Sequence, residues 1–222
     1  MTEIIDKYYE NRKHHADEIF EYLEESINEN LFKAYLGDKK YQYRIGIEKK
    51  DPEWLLKAAE NGHVLAQNTI GVWYNKGING LEKNIEVAKK WYFKAIAGDD
   101  RTACSNIGHL YRTGSGFDKD SDMAVEYYEK SIELDCERGN YYLGMMYYEG
   151  DGIDKDIEKA FKLFVKSTEL GFGEAMYKLS IMYAKGEHVE KDIKKSFEYL
   201  LKANEKDCEN AKKKLDKLTD DF

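Results

Sequence analysis

Between residues 63 and 207 the apolar positions fall three and four apart, the rhythm of one helical face, and the strict alternation of a half-buried β-strand is absent. The stretches themselves also recur. NTIGVWYNKG (68–77), SNIGHLYRTG (105–114), YYLGMMYYEG (141–150) and YKLSIMYAKG (177–186) align without gaps. Small residues repeat at Gly71, Gly108, Gly144 and Ser180, tyrosines at Tyr74, Tyr111, Tyr147 and Tyr183, and glycines at Gly77, Gly114, Gly150 and Gly186. Successive anchors are 37, 36 and 36 residues apart, the extra residue belonging to the loop GINGLEKN (77–84). After each loop comes a second series: Ala88, Ala124, Ala160 and Ser196, then Lys94, Lys130, Lys166 and Lys202, each beside a small residue. A period of this length marks a stack of repeated units, each too small to bury its own apolar face.

Every unit predicts two helices. In the second unit Ala103, Ile107, Leu110 and Tyr111 share one face of the first helix, which ends at Gly114 because glycine takes the left-handed conformation without a Cβ clash. The second helix opens at Asn84, Asp120, Asp156 or Asp192, side chains that accept hydrogen bonds from the unpaired N–H groups of a first turn. The small residues of the first helix are expected to face Ala88, Ala124, Ala160 and Ser196 at points of close crossing. Asp51-Pro52 predicts a further helix start, with proline at the first helical position. The helix WLLKAAENG (54–62) begins a turn late and is therefore short, while Ala211 and Leu215 predict one closing amphipathic helix. Ile19, Leu23 and Ile27 form a stripe of their own, and KAYLGDKKYQYRIG (33–46) reads as a worn first helix plus its loop. The predicted organisation is an N-terminal helical cap at 1–50 with a degenerate repeat, an entering helix at 51–62, repeats at 63–99, 100–135, 136–171 and 172–207, and a capping helix at 208–222. The fold class expected is all-α, an α/α solenoid wound as a right-handed superhelix.

These columns resemble the Sel-1-like repeat family, relatives of the tetratricopeptide repeat. Repeat three carries the family pattern as Leu143, Gly144, Tyr147, Gly150, Gly152, Ile153, Asp156, Ala160 and Lys166; repeat one adds the aromatic pair Trp91–Tyr92 and the pair Lys94–Ala95. Repeat four departs from it with Ser180 for the glycine and His188 for the second loop glycine. The resemblance implies an adaptor that holds another protein or peptide in a concave groove, as family members do in signalling, membrane-protein quality control and bacterial pathogenesis. A secreted, cysteine-rich branch was linked to penicillin binding and β-lactam hydrolysis, and its hallmark is a disulfide inside each repeat. Here Cys104 stands alone in a first helix, and Cys136 and Cys208 share one column two repeats apart, about 20 Å by the usual spacing of packed helices. A disulfide needs Cα atoms within about 7 Å, so three free thiols are expected and that branch's enzymology does not transfer.

The 222 residues are 42% apolar and 35% charged, too hydrophobic for a disordered chain, and no run is long enough to span a bilayer. The charges in MTEIIDKYYENRK leave no room for the apolar core of a secretory signal. Three cysteines, an odd count, suit a reducing compartment, and a cytoplasmic location is the expectation. A net charge of -8 argues against a phosphate-binding surface and hence against nucleic acid.

Candidate chemistry mostly dissolves into the repeat. Asp118, Asp120, Asp122 and Glu129 mimic a calcium loop, but Met123 stands where the turn glycine belongs, and Asp120 is a helix cap. GSG (114–116) and GDG (150–152) follow no strand and read as turns. His14 and His15, with Glu10 or Glu18, offer only adventitious metal binding, and His63 and His188 have no triad partner. No metal, cofactor or catalytic residue is assigned, and the chain is expected not to be an enzyme.

Eighteen tyrosines are the one compositional excess. If first helices line the concave wall, the inward rows are Asn68, Ser105, Tyr141 and Tyr177; Val72, His109, Met145 and Ile181; and Asn75, Arg112, Tyr148 and Ala184. The expected partner site is Asn68, Ser105, His109, Arg112, Tyr141, Met145, Tyr148, Tyr177 and Ile181, rich in the tyrosine, methionine and arginine that binding hot spots favour. Because Asn68 and Ser105 stand where Tyr141 and Tyr177 do, that column is expected to face a ligand and not the core. The leading reading is a protein-binding adaptor. A dedicated inhibitor of a toxin or effector, of the immunity type, and a cell-wall or β-lactam hydrolase are the alternatives; self-association is left open.

Overall fold

The computed structural model describes residues 29–220. The regular elements among them are all α-helices: α1 Glu29–Tyr35, α2 Lys39–Glu48, α3 Pro52–Glu60, α4 Val64–Lys76, α5 Ile85–Ala97, α6 Arg101–Thr113, α7 Ser121–Glu133, α8 Glu137–Glu149, α9 Ile157–Glu169, α10 Gly173–Lys185, α11 Ile193–Glu205 and α12 Glu209–Asp220. The fold class is an all-α solenoid of helix–turn–helix units. The stripe at Ile19, Leu23 and Ile27 and the His14–His15 pair lie outside the described residues. The chain divides into two compact units between Asn84 and Ile85.

In the first unit, Asp51 accepts from the N–H groups of Glu53 and Trp54 and starts α3, which has nine residues where later second helices have 13. The stretch 33–46 differs from the expectation. It holds the end of α1, a turn, and most of α2, and α2 is the first helix of a shortened repeat. Gly46 sits in the small-residue column, where an added Cβ would lie 2.8 Å from the Leu55 nitrogen of α3. Only three residues join α2 to α3, with Lys50 in a left-handed conformation, so this repeat has no glycine loop.

In the second unit, α6 pairs with α7, α8 with α9, and α10 with α11. Asp120, Asp156 and Asp192 each accept from the N–H three residues on. Their own N–H groups donate to the carbonyls of Tyr111, Tyr147 and Tyr183, at 3.1, 2.9 and 3.0 Å. Each loop is thus latched back onto the tyrosine column, and helix α7 takes up Asp122 through Glu129 of the calcium-like motif.

The two loop glycines have separate duties. Gly114, Gly150 and Gly186 end first helices with positive φ. Gly116 and Gly152 also have positive φ, and a Cβ on them would collide with Ile85 and Ser121, at the start of the preceding repeat's second helix. His188 keeps the left-handed conformation at φ 65°, so the loop geometry survives the loss of that glycine.

The small-residue column does approach the alanines, with an added Cβ on Gly108 falling 3.2 Å from the Ala124 carbonyl oxygen, but its tightest contacts are to rings. A Cβ on Gly108 would lie 2.8 Å from the Tyr128 ring, and one on Gly144 would lie 2.8 Å from the Phe164 ring. The glycines make room for a buried aromatic one turn beyond Ala124 and Ala160. In repeat four the corresponding residues are Ser180 and Leu200, a larger residue in the glycine column and a smaller one in the ring column. At the other end of each helix pair, buried Ser131 and Ser167 donate to the carbonyls of Arg101 and Glu137. Helix α12 buries Ala211 and lays Leu215 against Met176, Leu200, Ala203 and Cys208. Cys104, Cys136 and Cys208 are unbridged and buried.

Candidate functional site

The first-helix wall of the second unit is built by α6, α8 and α10, and most of its side chains lean onto the next repeat. The His109 ring of α6 lies 5.6 Å from that of Tyr142 on α8; burial, then the nearby Arg112 charge, lowers its basicity. Arg112 reaches Glu149 at 3.7 Å and Asp151 at 3.6 Å, both in repeat three. Met145 packs against the cluster of Ala160, Phe164, Leu179 and Met182, and Tyr177 against the one closed by Cys208 and Ala211.

Tyr148 is the best-held group of the wall. Its hydroxyl donates to Glu187 of the next loop at 2.6 Å, and the Lys178 ammonium lies 3.6 Å from its ring centre. The Glu187 bond, with burial second, pushes the phenol up to about 12. The same bond, as its largest cause, lowers the Glu187 carboxyl. Burial lowers the pKa of Lys178. Beside Tyr148 lies a recess of about 380 Å³, lined by Lys155, Ile157, Glu187 and His188.

Three expected contact residues need correction. Ser105 is fully buried and donates to the Thr102 carbonyl, so it offers nothing to a partner. Asn68, in the first unit, is also buried. Tyr141 is partly buried, its ring 5.2 Å from Phe172 and 5.9 Å from Phe164, and burial, with Tyr142 second, pushes its phenol up to about 12. At these three positions the column therefore packs against unlike neighbours, while Tyr177, in the same column, keeps a partly exposed edge. His109, Arg112, Met145, Tyr148, Tyr177 and Ile181 are partly buried and keep an outer edge on the wall. The sequence reading missed Tyr142 and Lys178, which share that partial exposure. Their column, Thr69, Asn106, Tyr142 and Lys178, varies as widely as the one that was singled out.

Among the described residues, no three or more His, Cys, Asp or Glu side chains converge in a way that could hold a metal ion, and no helix is long and apolar enough to cross a membrane. His63 caps α4 by accepting from the Ala66 N–H, and its ring stacks on Tyr43.

A run of helix pairs with glycine-ended first helices, aspartate-capped second helices and a wall of mixed aromatic and charged groups defines a tetratricopeptide-related helical-repeat protein. The chain belongs to the Sel1 repeat family, with repeats at 34–63, 64–100, 102–136, 138–172 and 173–208. The first match covers the shortened α2–α3 unit. A Sel1 repeat protein from Oxalobacter formigenes shares the fold at a TM-score of 0.70, with 29% identity over 81% of this chain and 78% of that one. The protective antigen c5321 of uropathogenic Escherichia coli, which displays an SLR fold, is similar at a TM-score of 0.61 and 25% identity, covering 82% of this chain and 41% of that one. A stretch of 55 residues is 40% identical to the chitin synthase regulator SKT5 of Saccharomyces cerevisiae; it is 25% of this chain and spans 8% of that protein. Proteins of this fold generally mediate protein–protein interactions.

Proposed function

We propose that this chain is a non-enzymatic adaptor that holds a protein segment along the wall of α6, α8 and α10, against Arg112, Met145, Tyr148, Tyr177, Lys178 and Ile181. The observation that carries this reading is the Tyr148 site. An aromatic ring fixed by Glu187 and Lys178 borders a recess large enough for a side chain, with apolar and charged groups within reach. Rigid tyrosines held by their neighbours lose little conformational freedom on binding, which is why they serve as anchors. The unbridged, buried cysteines support a reducing compartment, which we take to be the cytoplasm.

A photocrosslinking amino acid placed at Tyr148 or Ile181 in the native host tests the proposal. One protein should be captured from both positions and not from Lys162, which is exposed on α9. Capture from Lys162 but from neither wall position would overturn it. The identity of the captured protein separates a general adaptor from a dedicated inhibitor of a toxin or effector.

A further inference from the structure

Helix α11 carries an apolar stripe that is more exposed than the same stripe on α9. Ile193, Phe197 and Leu201 recur every four residues and are 61%, 47% and 42% exposed. In repeat three the same columns hold Ile157, Phe161 and Val165, all partly buried. The next repeat covers them: His188 lies 5.3 Å from the Phe161 ring, and Tyr183 lies 6.2 Å from it. In repeat two Gly152 closes on Ser121, and in repeat one Gly116 closes on Ile85 and Phe117 meets the edge of Phe93, which stays 40% exposed. Among the described residues α12 follows α11, and it packs on the other side, through Ala211 and Leu215. Three large apolar side chains aligned on one helix face are the surface that a further element normally buries.

The chemistry of the stripe selects its occupant. Helical geometry places Lys194 and Glu198 together along its outer border, at roughly 100° and 140° round from Ile193. Two copies of α11 crossing antiparallel about a dyad at Phe197 would bring Ile193 of each against Leu201 of the other. The dyad sets the same border of both helices side by side, so Lys194 of each faces Glu198 of the other. The face also suits self-contact electrostatically. The whole chain carries -8, but α11 has Lys194, Lys195 and Lys202 against Glu198 and Glu205, so the acidic charge that would hold two copies apart is not concentrated on this helix. We propose that this face binds a second copy of the chain, forming an isologous dimer through α11.

Sedimentation equilibrium of the full chain from ~10 µM to ~1 mM covers the affinities a stripe this small supports. The wild type should move from monomer toward dimer across that range, and Phe197→Ser should remain monomeric with unchanged helicity. Lys194→Glu and Glu198→Lys should each weaken association by about tenfold, since each sets like charges face to face at two symmetric places. Mixing those two variants should restore a dimer, because the carboxylate introduced by the first substitution then faces the ammonium introduced by the second on the other chain. That rescue acts only between chains, so no effect inside one helix can mimic it. A wild type that stays monomeric up to ~1 mM, a Phe197→Ser chain that dimerises normally, or a mixture no more associated than its parts would each overturn the proposal.

Discussion

Repeats three and four have the same length, the same aspartate cap and the same loop geometry, yet they solve one packing problem in two ways. Repeat three presses a glycine, Gly144, against a fully buried ring, Phe164. Repeat four places Ser180 and Leu200 in those columns and keeps Leu200 only 5% exposed. The pair varies as a unit: the volume that one helix gives up is taken by the other. A repeat family can therefore hold its helix spacing while its side chains change, and the outer edges of those helices are left free to differ.

The largest effects should come from separating the two members of that pair. Phe164→Ala should cost ~3–5 kcal/mol by chemical denaturation, because its ring is wholly buried. Gly144→Ser should cost ~1–3 kcal/mol, since the new Cβ meets that ring. The double change Gly144→Ser with Phe164→Leu imports the repeat-four solution and should lose less than the sum of its single changes. Strict additivity of that cycle would show that the two columns are not coupled.

Tyr141→Ala comes next, with an expected loss of ~2–3 kcal/mol because the ring fills space beside Phe164 and Phe172. A thermal melt unchanged by this substitution would return Tyr141 to the partner-facing set. Asp156→Ala and Asp192→Ala should each cost ~1 kcal/mol, and by similar amounts, because both accept one N–H in the same geometry. The smallest effect concerns pH. Burial lowers the pKa of His109 below its ordinary value of 6.5, so the unfolded chain binds a proton more readily than the folded one. Its contribution to stability is full above 6.5 and falls as the pH drops below that value. His63 has the same sign, so His109→Gln should remove part of the acid sensitivity seen between pH 7 and 5 and leave the rest.

Much of the fold was legible because caps and turn glycines act through local backbone geometry. Asp120, Asp156 and Asp192, and Gly114, Gly150 and Gly186, each do in the structure what their residue type does in isolation. The shortened repeat at α2–α3 was misplaced because its loop has no glycine to mark it. The wall was half legible for a related reason. Periodicity shows which residues share a row, but not how far the next repeat leans over that row. Ser105 and Tyr141 stand in one column and both pack inward, one through its small size and the other through neighbouring rings. Tyr142 and Lys178 lay one position away, and both keep a partly exposed edge that the periodicity alone does not reveal.

The central claim is that the wall around Tyr148, and not the outer helix faces, receives the partner. Calorimetric titration of the captured protein against the wild type, Tyr148→Ala and Phe197→Ser tests it most directly. The account predicts a loss of ~2 kcal/mol or more for Tyr148→Ala, about thirtyfold in affinity, and an unchanged Kd for Phe197→Ser. Full affinity in Tyr148→Ala together with weakened binding in Phe197→Ser would contradict it and move the partner to the opposite face.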